Sequence, residues 1–135
     1  MPRRKRLCVA VAGNSSLPLT PAIGTAIVDL LREYPEGTRF ITRGSPGVDE
    51  FVLRACELLG LPCEPRPSAG GPDNFRRDAD MARECDELLA FLDPHTLDRG
   101  DTGTAHAIDK ALDQKRRVRA FSASGDKLVY VGSSD

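Results

Sequence analysis

Hydrophobic residues occur along the chain in short runs that alternate with longer amphipathic segments. The short apolar runs predict buried strands, and segments with apolar positions three and four residues apart predict helices. The predicted strands are 6–13, 38–44, 62–67, 87–93, 117–122 and 127–132. The predicted helices are 20–35, 47–60, 75–86 and 102–115. Because strands and helices alternate, we expect an α/β fold, a single Rossmann-like three-layer sandwich with a mostly parallel sheet, over residues 1–135.

Local signals support several of these boundaries. Thr20 is a suitable N-cap for the first helix, and Gly60 fits the end of the second. The prolines in 62–67 predict an edge strand, and the turn residues in 123–126 predict a hairpin between the last two strands. The residues of the last helix that we expect to face inward are Ala105, Ile108, Ala111 and Leu112.

Charge and composition restrict the partners. The 135 residues carry a net charge of −1, only 5% are aromatic, and Trp is absent. Nucleic acid is therefore a poor expectation, because single-strand binders need a basic surface with aromatic stacking platforms. The basic residues in 1–6 predict a solvated terminal tail. No run approaches the roughly 18 apolar residues of a membrane span, so no membrane partner is expected.

The cysteines and histidines do not form a metal-binding pattern. The chain has four Cys and two His, and no two Cys stand in a C-x-x-C pair. We therefore expect no metal and no cofactor, and we expect reduced thiols in a cytoplasmic protein.

Three loops rich in small residues follow predicted strands, at 13–16, 42–49 and 99–104. In a parallel sheet they share the carboxyl edge, where α/β proteins bind ligands. Glycine allows a backbone to approach a phosphate closely, and the helix N-termini that follow attract anions. Neither a P-loop nor a G-x-G-x-x-G motif is present. The expected ligand-binding residues are Gly13, Asn14, Ser15, Arg43, Gly44, Ser45, Gly47, Arg77, Gly100, Thr102, Gly103 and Thr104.

Three segments resemble one superfamily. "TRGSPGVDEFVLRACELLGLP" (42–62) is similar to the "GGARGVD…A…A…G" segment of the SLOG superfamily, and "FRRDADMARECDELLAFLD" (75–93) to its "R-N/K-x-x-M…D" segment. "GDTGT" (100–104) stands where that family has a Gly-Gly-x-Gly-Thr loop. The superfamily includes lysine-decarboxylase-like LOG-type phosphoribohydrolases, DprA-type proteins and a YspA-like branch. The residues of the second segment that match the family's positions are Arg77, Met81 and Asp86.

The resemblance extends over about residues 7–122 and implies a nucleotide ligand. The Gly-Thr loop and Arg77 would meet its phosphate, and the chain would form a homodimer. LOG-type enzymes and nucleoside 2-deoxyribosyltransferases place a catalytic Glu where this chain has Ala107. A methyl group cannot stabilise the oxocarbenium-like centre of glycosidic cleavage. His106, beside it, could act as a base or a ligand, but as a partly exposed helix residue near Asp109 and Lys110 it is expected to have no functional role.

The resulting hypothesis is a nucleotide-binding sensor or binding subunit without the hydrolase activity. A first alternative is a nucleoside monophosphate N-glycosidase of the phosphoribohydrolase type with a relocated acid, whose candidate catalytic residues are Arg77, Asp49 and Asp101. A second alternative is a DprA-like binder of single-stranded DNA. Dialysis or calorimetry with phosphorylated nucleotides tests the first hypothesis, and release of free base and ribose phosphate from a nucleoside monophosphate tests the second. Salt-dependent binding to oligonucleotides tests the third.

Overall fold

The computed structural model describes residues 6–68, 70, 72–93 and 103–134. Within them, a six-stranded sheet lies between two layers of helices. The strands are β1 Cys8–Gly13, β2 Arg39–Thr42, β3 Cys63–Pro65, β4 Glu87–Leu92, β5 Arg117–Ser124 and β6 Lys127–Ser134. The helices are α1 Pro21–Arg32, α2 Val48–Leu59, α3 Pro72–Glu84 and α4 Gly103–Asp113. The predicted basic tail, apart from Arg6, lies outside the described residues.

The strand order is β3-β2-β1-β4-β5-β6. Strands β1 to β5 pair in parallel, and β6 pairs antiparallel with β5. The predicted mostly parallel α/β sandwich is therefore confirmed, as are the edge position of β3 and the final hairpin. The chain leaves β1 toward β2 on one side and returns to β4 on the other. The sheet thus has its topological switch point between β1 and β4, where such folds bind ligands.

Alternating residues of the strands face two separate cores, one on each face of the sheet. On one face, α1 and α2 cover Val9, Val11 and Leu89, together with the rings of Phe40, Phe91 and Phe121. On the other face, α3 and α4 cover Cys8, Ala10 and Ala12 through Met81, Ala107 and Ala111. No helix among the described residues is long and apolar enough to cross a membrane.

The helix ends follow the sequence signals closely. Thr20 Oγ1 accepts a hydrogen bond from the Ile23 amide at 3.2 Å, which satisfies one free donor of the first turn of α1. Gly60 ends α2 with φ +71°, a conformation that suits glycine. Helix α3 begins at Pro72, three residues before the predicted start, because proline is well tolerated in a first helical turn.

The predicted inward face of α4 is confirmed in part. Ala111 is buried and Ile108 packs against the second core, as predicted, but Leu112 is 45% exposed. Ala107, which was not predicted to face inward, is buried in that core. Small side chains allow α4 to lie close to both neighbours, so the larger Leu112 remains in solvent.

The buried thiol of Cys85 makes the stability of the protein sensitive to alkaline pH. Burial, with the nearby Cys8 thiol as a smaller cause, raises the pKa of Cys85 from its ordinary value of 9.0 to about 11. Because the fold favours the neutral thiol, its contribution is complete below pH 9 and is lost as pH rises from 9 to about 11. We therefore expect the free energy of unfolding to fall over that range, and to fall less in Cys85→Ala. Urea titrations at several pH values measure this; parallel curves for the two proteins would contradict it.

Candidate functional site

The switch point is closed by Asn14, directly after β1. The backbone N–H of Asn14 donates to the Phe91 carbonyl at 3.0 Å, and the side-chain Oδ1 of Asn14 accepts from the backbone N–H of Asp93 at 2.8 Å. The carboxyl ends of β1 and β4 are therefore tied together through one buried residue. Asn14, a predicted ligand-binding residue, here also fixes the floor of the predicted site.

The loops that follow β1 and β2 form one continuous surface. Gly47 has φ +90°, and a Cβ placed there would stand 2.9 Å from the Ser15 Cα. Backbone therefore lies directly on backbone at this contact, which only glycine permits. Ser15 and Gly44 are exposed, and Ser45 is half-buried. The structure thus brings together the small residues that the sequence analysis placed in two separate loops.

Gly47→Ala should destabilise the protein more than Gly37→Ala does. Gly37 has a nearly equal φ of +89°, but a Cβ there would meet nothing within 4 Å. Both variants strain the backbone by about 1–3 kcal/mol, and only the first adds a steric clash. Chemical denaturation of both variants gives the difference. Equal losses would show that the loop after β2 can move away from Ser15.

A buried ion pair between Arg43 and Asp49 stabilises the carboxyl edge of the sheet. Arg43, the first residue after β2, donates through Nε to Asp49 Oδ2 at 2.9 Å and through Nη2 to Asp49 Oδ1 at 3.0 Å. Nη2 also donates to the Gly13 carbonyl at 2.6 Å and to Thr104 Oγ1 at 3.3 Å. One guanidinium therefore connects β1, β2, α2 and the first turn of α4. Arg43, a predicted ligand-binding residue, and Asp49, a candidate relocated acid, are therefore partners of each other.

The surroundings of Asp49 leave little room for acid–base chemistry. Its side chain is fully buried, and its two oxygens accept four hydrogen bonds. The donors are the amides of Gly13 and Arg43 and two nitrogens of the guanidinium. A carboxylate so enclosed cannot reach a substrate without dismantling the edge of the sheet. Arg43 keeps Nη1 without a hydrogen-bond partner among the described residues.

Arg77 lies in α3, on the other side of the sheet from Asp49, and it is mostly buried. Its Nε donates to Asp78 Oδ1 at 3.2 Å, and its Nη1 donates to Ser68 Oγ at 3.4 Å. Asp78 Oδ2 in turn lies 2.8 Å from His106 Nδ1 in α4. The sequence analysis singled out Arg77 but missed Asp78. Its contact with His106 joins residues 28 apart on different helices, and no local spacing signals such a contact.

His106 is partly exposed, as predicted, at 24%, and it contacts the buried carboxylate of Asp78, a partner that the sequence did not indicate. Ala107, where the resembled enzymes have Glu, is buried. It faces the second core, and it lines a cavity of about 10 Å³ together with Asp78, Met81 and Leu88. A carboxylate at 107 would therefore enter packed side chains.

The remaining predicted residues can be placed only in part. Gly103 is the first residue of α4, and the Thr104 hydroxyl is buried beside Arg43. Gly100, Asp101 and Thr102 lie outside the described residues. Across the described ranges, no group of three His, Cys, Asp or Glu side chains is arranged to hold a metal ion.

Comparison with known proteins adds no family assignment. The chain matches no protein-family model, and no curated protein sequence matches it either. The resemblance to the SLOG superfamily therefore stays a prediction, and the argument for function rests on the geometry of the site.

Proposed function

We propose that this protein binds a nucleotide or nucleotide derivative at the carboxyl edge of its sheet, above the β1–β4 switch point. The observation that carries the proposal is the packing of two glycine-containing loops against each other where Arg43 also reaches the first turn of α4. Ligands of open α/β sheets bind at this position.

The chemistry of this edge suits a phosphate group. Helices α2 and α4 both begin there, and their first amides carry partial positive charge. The exposed Ser15 and half-buried Ser45 supply hydroxyl donors. Arg43 lies behind them with its charge balanced by Asp49, so it fixes the loops and leaves direct phosphate contact to backbone and hydroxyl groups.

Binding fits these residues better than glycosidic hydrolysis does. Position 107 holds a buried alanine, and Asp49 is enclosed by its four donors. Neither supplies a carboxylate to the edge where the ligand would lie. The proposed role is therefore that of a sensor or binding subunit that recognises the nucleotide.

A thermal-shift panel tests the proposal. The panel contains nucleoside mono-, di- and triphosphates, NAD, ADP-ribose and cyclic nucleotides. A ligand at about 100 times its Kd adds about 2.7 kcal/mol, which raises Tm by on the order of 10 °C in a domain of this size. One ligand class should give such a shift. A flat panel at millimolar concentrations would overturn the proposal.

Ser15→Asp should weaken binding of the nucleotide found in that panel by at least about tenfold. A carboxylate on the exposed loop repels a phosphate and removes a hydroxyl donor. Ser133→Asp is the matched control. It is also an exposed serine, but it pairs with Arg119 near the amino end of β5, at the opposite edge. Calorimetry gives the Kd of both variants. If both substitutions weakened nucleotide binding equally, the ligand would bind elsewhere.

A homodimer and a cytoplasmic location are further proposals that rest on the sequence alone. Light scattering on the purified protein should give twice the chain mass of 14.6 kDa. A mass of one chain at micromolar concentration would rule out a stable dimer.

A further inference from the structure

A groove of about 600 Å³ runs over the surface between α3 and α4. It is lined by residues of these two helices. Its walls are formed by Phe75, Arg76, Ala79, Asp80, His106 and Lys110, together with Arg83. Arg83 forms an ion pair with Asp80 at 2.6 Å, so its charge is balanced by a residue of the same wall.

The groove contains an oriented histidine. His106 Nδ1 lies 2.8 Å from Asp78 Oδ2, and a carboxylate oxygen only accepts, so Nδ1 carries the proton. In the neutral ring the lone pair is then on Nε2, which has no hydrogen-bond partner among the described residues. Asp78 is 3% exposed, and its second oxygen accepts from Arg77, so the carboxylate cannot turn away. A buried carboxylate that fixes the tautomer of a partly exposed imidazole is the arrangement that general bases use.

The Phe75 ring holds the imidazole from a second direction. The ring centroids of Phe75 and His106 are 4.4 Å apart with an interplanar angle of 55°. Phe75 is nevertheless 56% exposed, so it offers the groove an aromatic surface beside the free nitrogen. A planar group on the substrate could stack on it.

Two cations give the groove its preference for an anion. Arg76 and Lys110 line it from α3 and α4 respectively, and neither has an ion-pair partner among the described residues. Guanidinium and ammonium groups are the usual partners of phosphate oxygens.

We propose that His106, held by Asp78, is the general base of a second site in this groove, which hydrolyses a phosphate ester that carries an aromatic group. Arg76 and Lys110 bind the phosphate, and Phe75 contacts the aromatic group. Asp78 is a positioning residue. This activity goes beyond nucleotide binding at the sheet edge and does not depend on it.

The step balances with water as the only co-reactant. Nε2 takes a proton from water while the water oxygen forms a bond to phosphorus. The bond between phosphorus and the leaving oxygen breaks, and its electron pair stays on that oxygen. The imidazolium then returns the proton to the leaving group. The products are an alcohol or phenol and a phosphate with one ester bond fewer.

Hydrolysis of two coloured esters tests the proposal. The probes are p-nitrophenyl phosphate and bis(p-nitrophenyl) phosphate, which are a monoester and a diester with the same aromatic group. The protein should release p-nitrophenolate above the enzyme-free rate from at least one of them, and either one supports the proposal. His106→Gln should reduce kcat at least about 100-fold, since general bases contribute 10²–10⁴. His95→Gln, which removes the other histidine of the chain, is the control and should keep the rate.

Two further measurements separate a catalytic role from a merely structural one. Arg76→Ala should raise KM more than it lowers kcat. In ¹⁵N NMR of the imidazoles, His106 should show a protonated Nδ1 and a bare Nε2 in the folded protein, and Asp78→Asn should abolish this fixed tautomer. Release at the enzyme-free rate from both esters would overturn the proposal, as would an unchanged rate in His106→Gln. A protonated Nε2 in the wild-type protein would overturn it independently of any substrate.

Discussion

Asp49→Asn should lower the free energy of unfolding by about 3–5 kcal/mol, the usual result of breaking a buried ion pair. The substitution keeps the size of the side chain but leaves the charge of Arg43 buried without a counter-ion. Both side chains are at most 6% exposed, so water cannot replace the lost partner. With a total stability of about 5–15 kcal/mol for a typical domain, this loss is a large fraction.

The neighbouring residue supplies a matched control. Glu50 pairs with Arg54 one helical turn away at 3.2 Å, but these side chains are 50% and 73% exposed. Glu50→Gln should therefore change stability by no more than about 0.5 kcal/mol. Urea denaturation of both variants measures the contrast. A similar small effect at both positions would mean that the carboxyl edge does not depend on the Arg43–Asp49 pair.

Ala107→Glu should destabilise the protein by about 3–5 kcal/mol and create no glycosidase. The position faces the core beside the buried Asp78, and the adjoining cavity of about 10 Å³ has room for at most about one water. A glutamate there would overpack the interface between α4 and the sheet, and it would bring a second carboxylate next to Asp78. The residue that the resembled enzymes use for catalysis therefore cannot simply be restored.

Leu112→Glu on the same helix is the comparison for this variant. Leu112 is 45% exposed, so a charge there should be tolerated within about 0.5 kcal/mol. Thermal unfolding gives both stabilities, and release of free base from a nucleoside monophosphate reports any gained activity. If Ala107→Glu were as stable as the wild type and cleaved the nucleotide, position 107 would face a ligand cleft.

The fold was largely predictable because its signals are local. The run "ELLAFLD" predicted the central strand β4, which occupies Glu87–Leu92. Turn residues after Ala123 predicted the hairpin, in which Ser124 stands opposite Lys127. Alternation of strands with helices then restricts the topology, since crossovers are right-handed.

The site was predictable only in its loops. The glycine and serine residues that follow the strands can be read from the sequence, and in the structure Gly47 and Ser15 lie in contact. The partners of charged residues cannot be read in this way, because a contact such as that of Asp78 with His106 depends on how two helices pack. The face of α4 was predicted only in part for the same reason. Ala111 lies in the second core as predicted, but amphipathic spacing did not distinguish the exposed Leu112 from the buried Ala107.

The central claim is that the carboxyl edge of the sheet binds a nucleotide, and backbone amide NMR tests it most directly. Each nucleotide of the panel is titrated into ¹⁵N-labelled protein. At least one should shift the amides of residues 13–16, 44–49 and 103–104 together, with little change in β6. If no nucleotide shifted these amides at millimolar concentration, or if the changes fell only on other elements, the carboxyl edge would not be a nucleotide site.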